Sequence, residues 1–215
     1  MKQSTNNIID DLFIRFPRLI DCKEPIIKTI IELNECFKKG NKLLVCGNGG
    51  SAADALHIVG ELMKTFNKKR NIDEYNNFYI KKYFPESSEY LIKNLAGAFP
   101  VISLVNETSL ITALCNDVDN NIVFAQQVYG YGMKDDILLC LSTSGNSKNI
   151  IYAAQIAKTL DLKVISLTGN NGGELKKYSN ILINVPFEKT YIIQEYHMPI
   201  YHTICLAIEN EKYGD

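Results

Sequence analysis

The chain has 215 residues, 46% of them hydrophobic, and a formal net charge of −1. That length suits one α/β domain able to bury a sizeable core, and the composition is that of a globular chain rather than a disordered one. The charge lacks the basic excess of a nucleic-acid binder, and no apolar run is long enough to span a bilayer. The opening MKQSTNNIIDD has no basic-then-apolar order, so no signal peptide is expected and the expected compartment is the cytoplasm. The six cysteines, Cys22, Cys36, Cys46, Cys115, Cys140 and Cys205, form no CxxC pair. Buried free thiols are expected from them, not disulfides or a thiolate metal site.

In chain order, two helical patterns come first. From Ser4 to Phe16, the residues Ile8, Ile9, Leu12, Phe13 and Phe16 share one face, and Pro17 stops the pattern. A second helix opens near Pro25, places Ile26, Ile30, Leu33 and Phe37 at helical spacing, and ends at Gly40. Then short apolar runs appear at Leu43–Cys46, Val101–Val105, Ile137–Leu141, Val164–Leu167 and Ile181–Val185. Each reads as a strand buried on both faces. Helical stretches at about 51–65, 108–115, 121–129, 146–160 and 193–212 lie between and after them. The alternation predicts an α/β fold: a doubly wound, parallel, five-stranded sheet flanked by helices, with the N-terminal helices added. The expected organisation is one domain over 1–215 with an insertion at 67–98. That insertion opens with Lys68-Lys69-Arg70 and is rich in Tyr and Phe from Tyr75 to Phe84.

Four motifs carry chemistry. Gly47-Asn48-Gly49-Gly50-Ser51 joins a strand to a helix, where free N–H groups favour an anion; the same residues fit a plain tight turn. Ser142-Thr143-Ser144-Gly145-Asn146-Ser147 follows a second strand, at the end where open α/β sheets bind ligands; alone it fits a capping loop. Two such loops on one sheet point to a phosphate held by hydroxyls and N–H groups without a basic side chain. His57 and Glu61, four apart, share a helix face and fit acid–base groups, metal ligands or a solvated pair. In Gln194-Glu195-Tyr196-His197-Met198-Pro199-Ile200-Tyr201-His202, a single helix would point Gln194 and His202 roughly the same way and His197 elsewhere.

In this order and spacing, GNGGSAADALHIVGE, LSTSGNS, SLTGNNGGEL and QEYHMPIYH resemble the sugar isomerase (SIS) domain family and, within it, the phosphoheptose isomerase group. The likeness covers the chain apart from about 67–98. It implies an aldose–ketose isomerase that converts sedoheptulose 7-phosphate to D-glycero-D-manno-heptose 7-phosphate through an enediol. It implies that Ser142, Thr143, Ser144 and Ser147 hold the phosphate, and that Asn48, Gly49, Gly50, Ser51, Asp117 and Gln194 contact the substrate. Glu61 and His202 match the catalytic pair, as base and acid–base partner. Some members bind zinc, one per subunit, through positions matching His57, Glu61, Gln194 and His202, where it would polarise the carbonyl. A glutamate tightly bound to metal is a poorer base, so the two roles of Glu61 partly exclude each other.

The resemblance further implies a homotetramer, with helices 4–16 and 24–39 supplying apolar faces between subunits. Its expected partner is a small sugar phosphate, with no nucleic acid and no membrane. Two features depart from the group: Ile192 stands where a basic residue is frequent, and the insertion is longer than in many members. A related branch is a non-catalytic scaffold that binds a replication initiator protein, and other SIS domains sense sugar phosphates. The scaffold branch carries Asn where this chain has His202, so His202 with His57 and Glu61 favours an enzyme. The insertion, with Lys68-Lys69-Arg70, reads as a lid, an interface element or a partner surface.

Overall fold

The computed structural model describes residues 1–214. Helix α1 (Gln3–Arg15) ends before Pro17, and a 3-10 turn over Pro17–Cys22 leads into α2 (Lys23–Lys38). Pro25 lies in the first turn of α2, where its missing N–H costs no helical bond. Gly40 closes the helix at φ +79°, a conformation glycine adopts freely, and the Asn41 N–H reaches back to the Cys36 carbonyl at 3.1 Å. The later helices are α3 (Gly50–Met63), α4 (Glu74–Tyr83), α5 (Pro85–Asn94), α6 (Thr108–Asp117), α7 (Val123–Tyr131), α8 (Lys148–Thr159) and α9 (Thr190–Tyr213).

Five strands, β1 (Leu43–Gly47), β2 (Val101–Ser103), β3 (Ile137–Ser142), β4 (Lys163–Thr168) and β5 (Ile181–Asn184), form one parallel sheet in the order β2-β1-β3-β4-β5. Alternate residues of the central strands face opposite cores. Leu43 and Val45 join α1, α2, α3 and α9 on one face, whereas Leu44 and Cys46 join α7 and α8 on the other. The expectation of full burial holds for β1 and β3. It fails at β5, where only Ile183 is buried, because β5 is an edge strand with no neighbour beyond it.

Two further expectations are corrected, and the insertion is given its structure. The apolar stripes of α1 and α2 are mostly not free for another subunit, although Ile14 and Ile31 remain exposed. Ile9, Leu12, Ile26, Ile30 and Leu33 are buried against α9 and the sheet of the same chain, each contributing about 1.5–3 kcal/mol. The insertion folds into the hairpin α4–α5, which buries none of its own helical residues and leaves Tyr75, Phe78, Tyr83, Phe84 and Tyr90 exposed. Arg70 does not belong to a basic surface. It is 1% exposed and pairs with Glu209 of α9 at 2.7 Å.

Candidate active site

The order β2-β1-β3 means that the chain leaves β1 towards one sheet edge and returns at β3 to build towards the other. Such a switch point splays the loops after the two strands and opens a crevice between them. A cavity of about 270 Å³ lies there, lined by Asn48, Gly49, Gly50, Ser51, Leu141, Ser142, Thr143, Ser147, Thr190 and Gln194. Its residues come from the loops after β1 and β3 and from the first turns of α3 and α9, with the first turn of α8 following Ser147. Three helix N-termini therefore converge on one space, each with N–H groups that have no acceptor in their own helix. The lining residues include hydroxyls and amides but no Lys or Arg. Such an arrangement of dipoles favours an anion.

Local packing fixes both loops. A Cβ on Gly50 would fall 2.5 Å from Gln194 Nε2, so the amide sits where it does because position 50 is glycine, and a larger residue would push that side chain aside. Asn48 and Asn149 exchange two amide hydrogen bonds at 2.9 Å, tying the first loop to α8. Gly145, at φ +65°, packs against the backbone of Gly172 in the loop after β4, and the Leu175 N–H donates to the Gly145 carbonyl at 2.9 Å. The TGNNGG segment thus buttresses the serine loop. Ser142 Oγ accepts from the Gly145 N–H, and Ser144 Oγ from the Asn146 N–H, both at 3.2 Å.

A second cluster lies further along α3. His57 is seven residues past Gly50, about 10 Å at 1.5 Å per residue. His57 Nε2 stands 3.2 Å from Glu61 Oε1 and 3.4 Å from His202 Nε2, and Lys64 Nζ is 3.0 Å from Glu61 Oε2. Glu61 is buried and His57 and His202 are half-buried, so the trio is not a solvated surface pair. Burial, with His57 beside it, holds the imidazolium form of His202 below its ordinary range. His57 Nδ1 lies 3.0 Å from the Tyr201 hydroxyl, which donates to Asp54 Oδ1 at 3.2 Å.

This donor set bears on a metal. Tetrahedral zinc with bonds of about 2.0–2.1 Å places its ligand atoms about 3.3–3.4 Å apart, and the two edges within the trio are close to that. Three electron-pair donors facing one another repel unless a proton or a cation stands between them. Gln194 does not join them as placed; its amide lies against Gly50 in the anion cavity. Among the described residues, no group of three or more His, Cys, Asp or Glu side chains is arranged as placed to hold a metal ion. Two edges of the trio thus have the length of a zinc-ligand edge, and a metal site there would need its side chains to rearrange.

The structure brings Asn48, Gly49, Gly50, Ser51, Ser142, Thr143, Ser147 and Gln194 to one cavity, and His57, Glu61 and His202 to one cluster. Ser144 and Asp117 are exposed and do not line that cavity. His197 points away from Gln194, as the helical spacing predicts. It is fully buried, and among the described residues both its ring nitrogens lack a hydrogen-bond partner. Sequence reasoning missed Thr190, Asn149, Lys64, Asp54, Tyr201 and the Arg70–Glu209 pair. Asp54 had a signal, three residues before His57 on one helix face, as did Glu209, a carboxylate in the apolar run LAIEN.

Comparison with known proteins bears on the family and the fold. A SIS domain model matches residues 88–169. A phosphoheptose isomerase of Helicobacter pylori is 36% identical over 213 residues, covering 94% of this chain and 96% of that protein. The chain belongs to the phosphoheptose isomerase family. Another member, from Akkermansia muciniphila, is 36% identical over 180 residues, covering 84% of this chain and 82% of its own. The solved phosphoheptose isomerase of Francisella tularensis superposes with a TM-score of 0.72 at 32% identity, over 94% of this chain and 97% of that one.

Proposed function

We propose that this family member, an isomerase, interconverts sedoheptulose 7-phosphate and D-glycero-D-manno-heptose 7-phosphate. The observation that carries this reading is the pairing of a dipole-built anion cavity with the His57–Glu61–His202 cluster about 10 Å along the same helix. That separation suits an extended sugar with its phosphate at one end and its carbonyl at the other. The Ser142, Thr143 and Ser147 hydroxyls and the helix N-termini hold the phosphate, with Ser144 at the rim of the loop. Asn48, Gly49, Gly50, Ser51 and Gln194 line the path of the sugar, and Asp117 is assigned to it by resemblance alone.

In the ketose-to-aldose direction, Glu61 takes a proton from C1, electrons move towards the C2 carbonyl, and an enediol forms. Glu61 returns the proton to C2, while His202 carries the oxygen-bound proton from O1 to O2. Zinc, one ion per subunit, is proposed as cofactor on His57, Glu61 and His202, with Gln194 as fourth ligand after a shift of its side chain. When bound it would polarise the carbonyl and stabilise negative charge on oxygen. Glu61 cannot be both a tight ligand and a strong base, so the test runs with and without metal.

Purified protein given sedoheptulose 7-phosphate, with and without zinc, should yield the aldose phosphate by NMR. No product in either condition, with phosphate-ligand binding retained, would remove the assigned reaction. The scaffold alternative has no support among the matched relatives cited above, which are named as isomerases. We also propose a cytoplasmic homotetramer. The exposed aromatic hairpin supports assembly, and six unpaired thiols suit a reducing compartment. Among the described residues no helix is long and apolar enough to cross a membrane.

A further inference from the structure

Tyr201 and Asp54 have no part in the reaction derived above, yet both lie beside it. Tyr201 is 2% exposed, and its ring meets that of His57 edge-on at 5.5 Å between centroids. Its hydroxyl lies between Asp54 Oδ1, 3.2 Å away, and His57 Nδ1, 3.0 Å away. Asp54 Oδ2 is buried and has no hydrogen-bond partner among the described residues. A half-buried carboxylate with one orphaned oxygen is costly to a fold, so its retention calls for a role beyond packing.

The roles of the three groups follow from their donors. Ionised Asp54 only accepts, so the Tyr201 proton goes to it. The Tyr201 oxygen then has lone pairs left for His57, and a bond there requires the proton of the neutral imidazole to sit on Nδ1. The His57 Nε2 lone pair is thereby left facing Glu61 Oε1 and His202 Nε2, and in the metal-free protein the His202 Nε2–H supplies the proton that stands between them. In a protein the hydrogen bond made by one ring nitrogen decides the state of the other. We propose that Asp54 and Tyr201 are positioning residues that lock His57 as its Nδ1–H tautomer, so that Nε2 presents a lone pair to the reactive cluster.

The inference deepens the proposed active site, but its test needs no turnover and no metal. Its failure would leave the isomerase reading standing. Long-range proton–nitrogen NMR of the metal-free protein, at about pH 8.5 where aspartate is ionised, reports which nitrogen of His57 carries the proton. The expected pattern is Nδ1–H in the native chain. Tyr201→Phe removes the acceptor and should move the proton to Nε2, where Glu61 Oε1 accepts it. Asp54→Ala frees the Tyr201 proton to point at Nδ1 and should give the same change, whereas Asp54→Asn keeps an acceptor oxygen and should preserve Nδ1–H. An Nε2–H or doubly protonated His57 in the native chain overturns the proposal by itself, even if the variants fail to fold. Persistence of Nδ1–H in folded Tyr201→Phe also overturns it.

Discussion

Ser147 is half-buried at the rim between β3 and α8, and its hydroxyl makes no cap bond to the helix it precedes. The capping reading of this loop therefore does not account for it, and the proposed phosphate would. A hydrogen bond to a charged group contributes about 1.5–3 kcal/mol. Ser147→Ala should raise KM for the sugar phosphate at least about tenfold in a steady-state assay, with thermal stability changed by no more than about 0.5 kcal/mol. His197 shows the opposite case, a polar side chain without a ligand. Burial pushes its pKa down to about 4 from 6.5, against a smaller opposing effect of the Thr168 backbone. The unfolded chain therefore binds a proton that the fold rejects. Stability is full above pH 6.5 and is lost progressively as pH falls to about 4, by about 3 kcal/mol in all. Urea melts across that range should show this slope, and His197→Gln should flatten it.

Between elements, Arg70 and Glu209 are the main clamp. The guanidinium donates to Glu209 at 2.7 Å and to the Leu62 and Glu61 carbonyls at 2.8 and 2.9 Å. It thus terminates α3 while gripping α9. The same carboxylate accepts the N–H groups of Phe66, Asn67 and Lys68. Burial opposes its charge, but these donors outweigh it and hold the carboxyl below its ordinary 4.5. The helix with His57 and Glu61 is thereby joined to the helix with His202. Removing one partner of a buried pair costs about 3–5 kcal/mol, and a chain of this size loses about 2–4 °C in Tm per kcal/mol. Glu209→Ala should therefore lower Tm by roughly 6–20 °C in calorimetry at neutral pH. Because the folded pKa is depressed, the contribution of Glu209 is present above pH 4.5 and fades below it.

At the scale of the whole molecule, the surface is uneven. The α4–α5 hairpin exposes Tyr83 at 59% and Phe84 at 58%, and α6 has no buried residue. Apolar surface of this kind marks an interface, and the proposed homotetramer would cover it. Light scattering after size exclusion should give four chains for the native protein and a smaller assembly for Tyr83→Glu with Phe84→Glu. A single-chain mass for the native protein would refute the tetramer.

Outside the insertion, where α4 and α5 bury no residue, the sequence by itself determined the element types, because helical and strand periods leave separate apolar patterns. Ile26, Ile30 and Leu33 declare a helix, and Leu43–Cys46 a buried strand, without reference to any other part of the chain. It also determined the two loops, since glycines and hydroxyls between a strand and a helix are local features. Only the tertiary structure decided the sheet order, and with it that these loops share one cavity at the β1/β3 switch point. It alone decided that Arg70 is buried, that Gln194 lies over Gly50, and that Tyr201 bridges Asp54 to His57. Those contacts join residues from 139 to 147 positions apart. A local sequence pattern reports which face a side chain takes, but its partner depends on how distant elements pack.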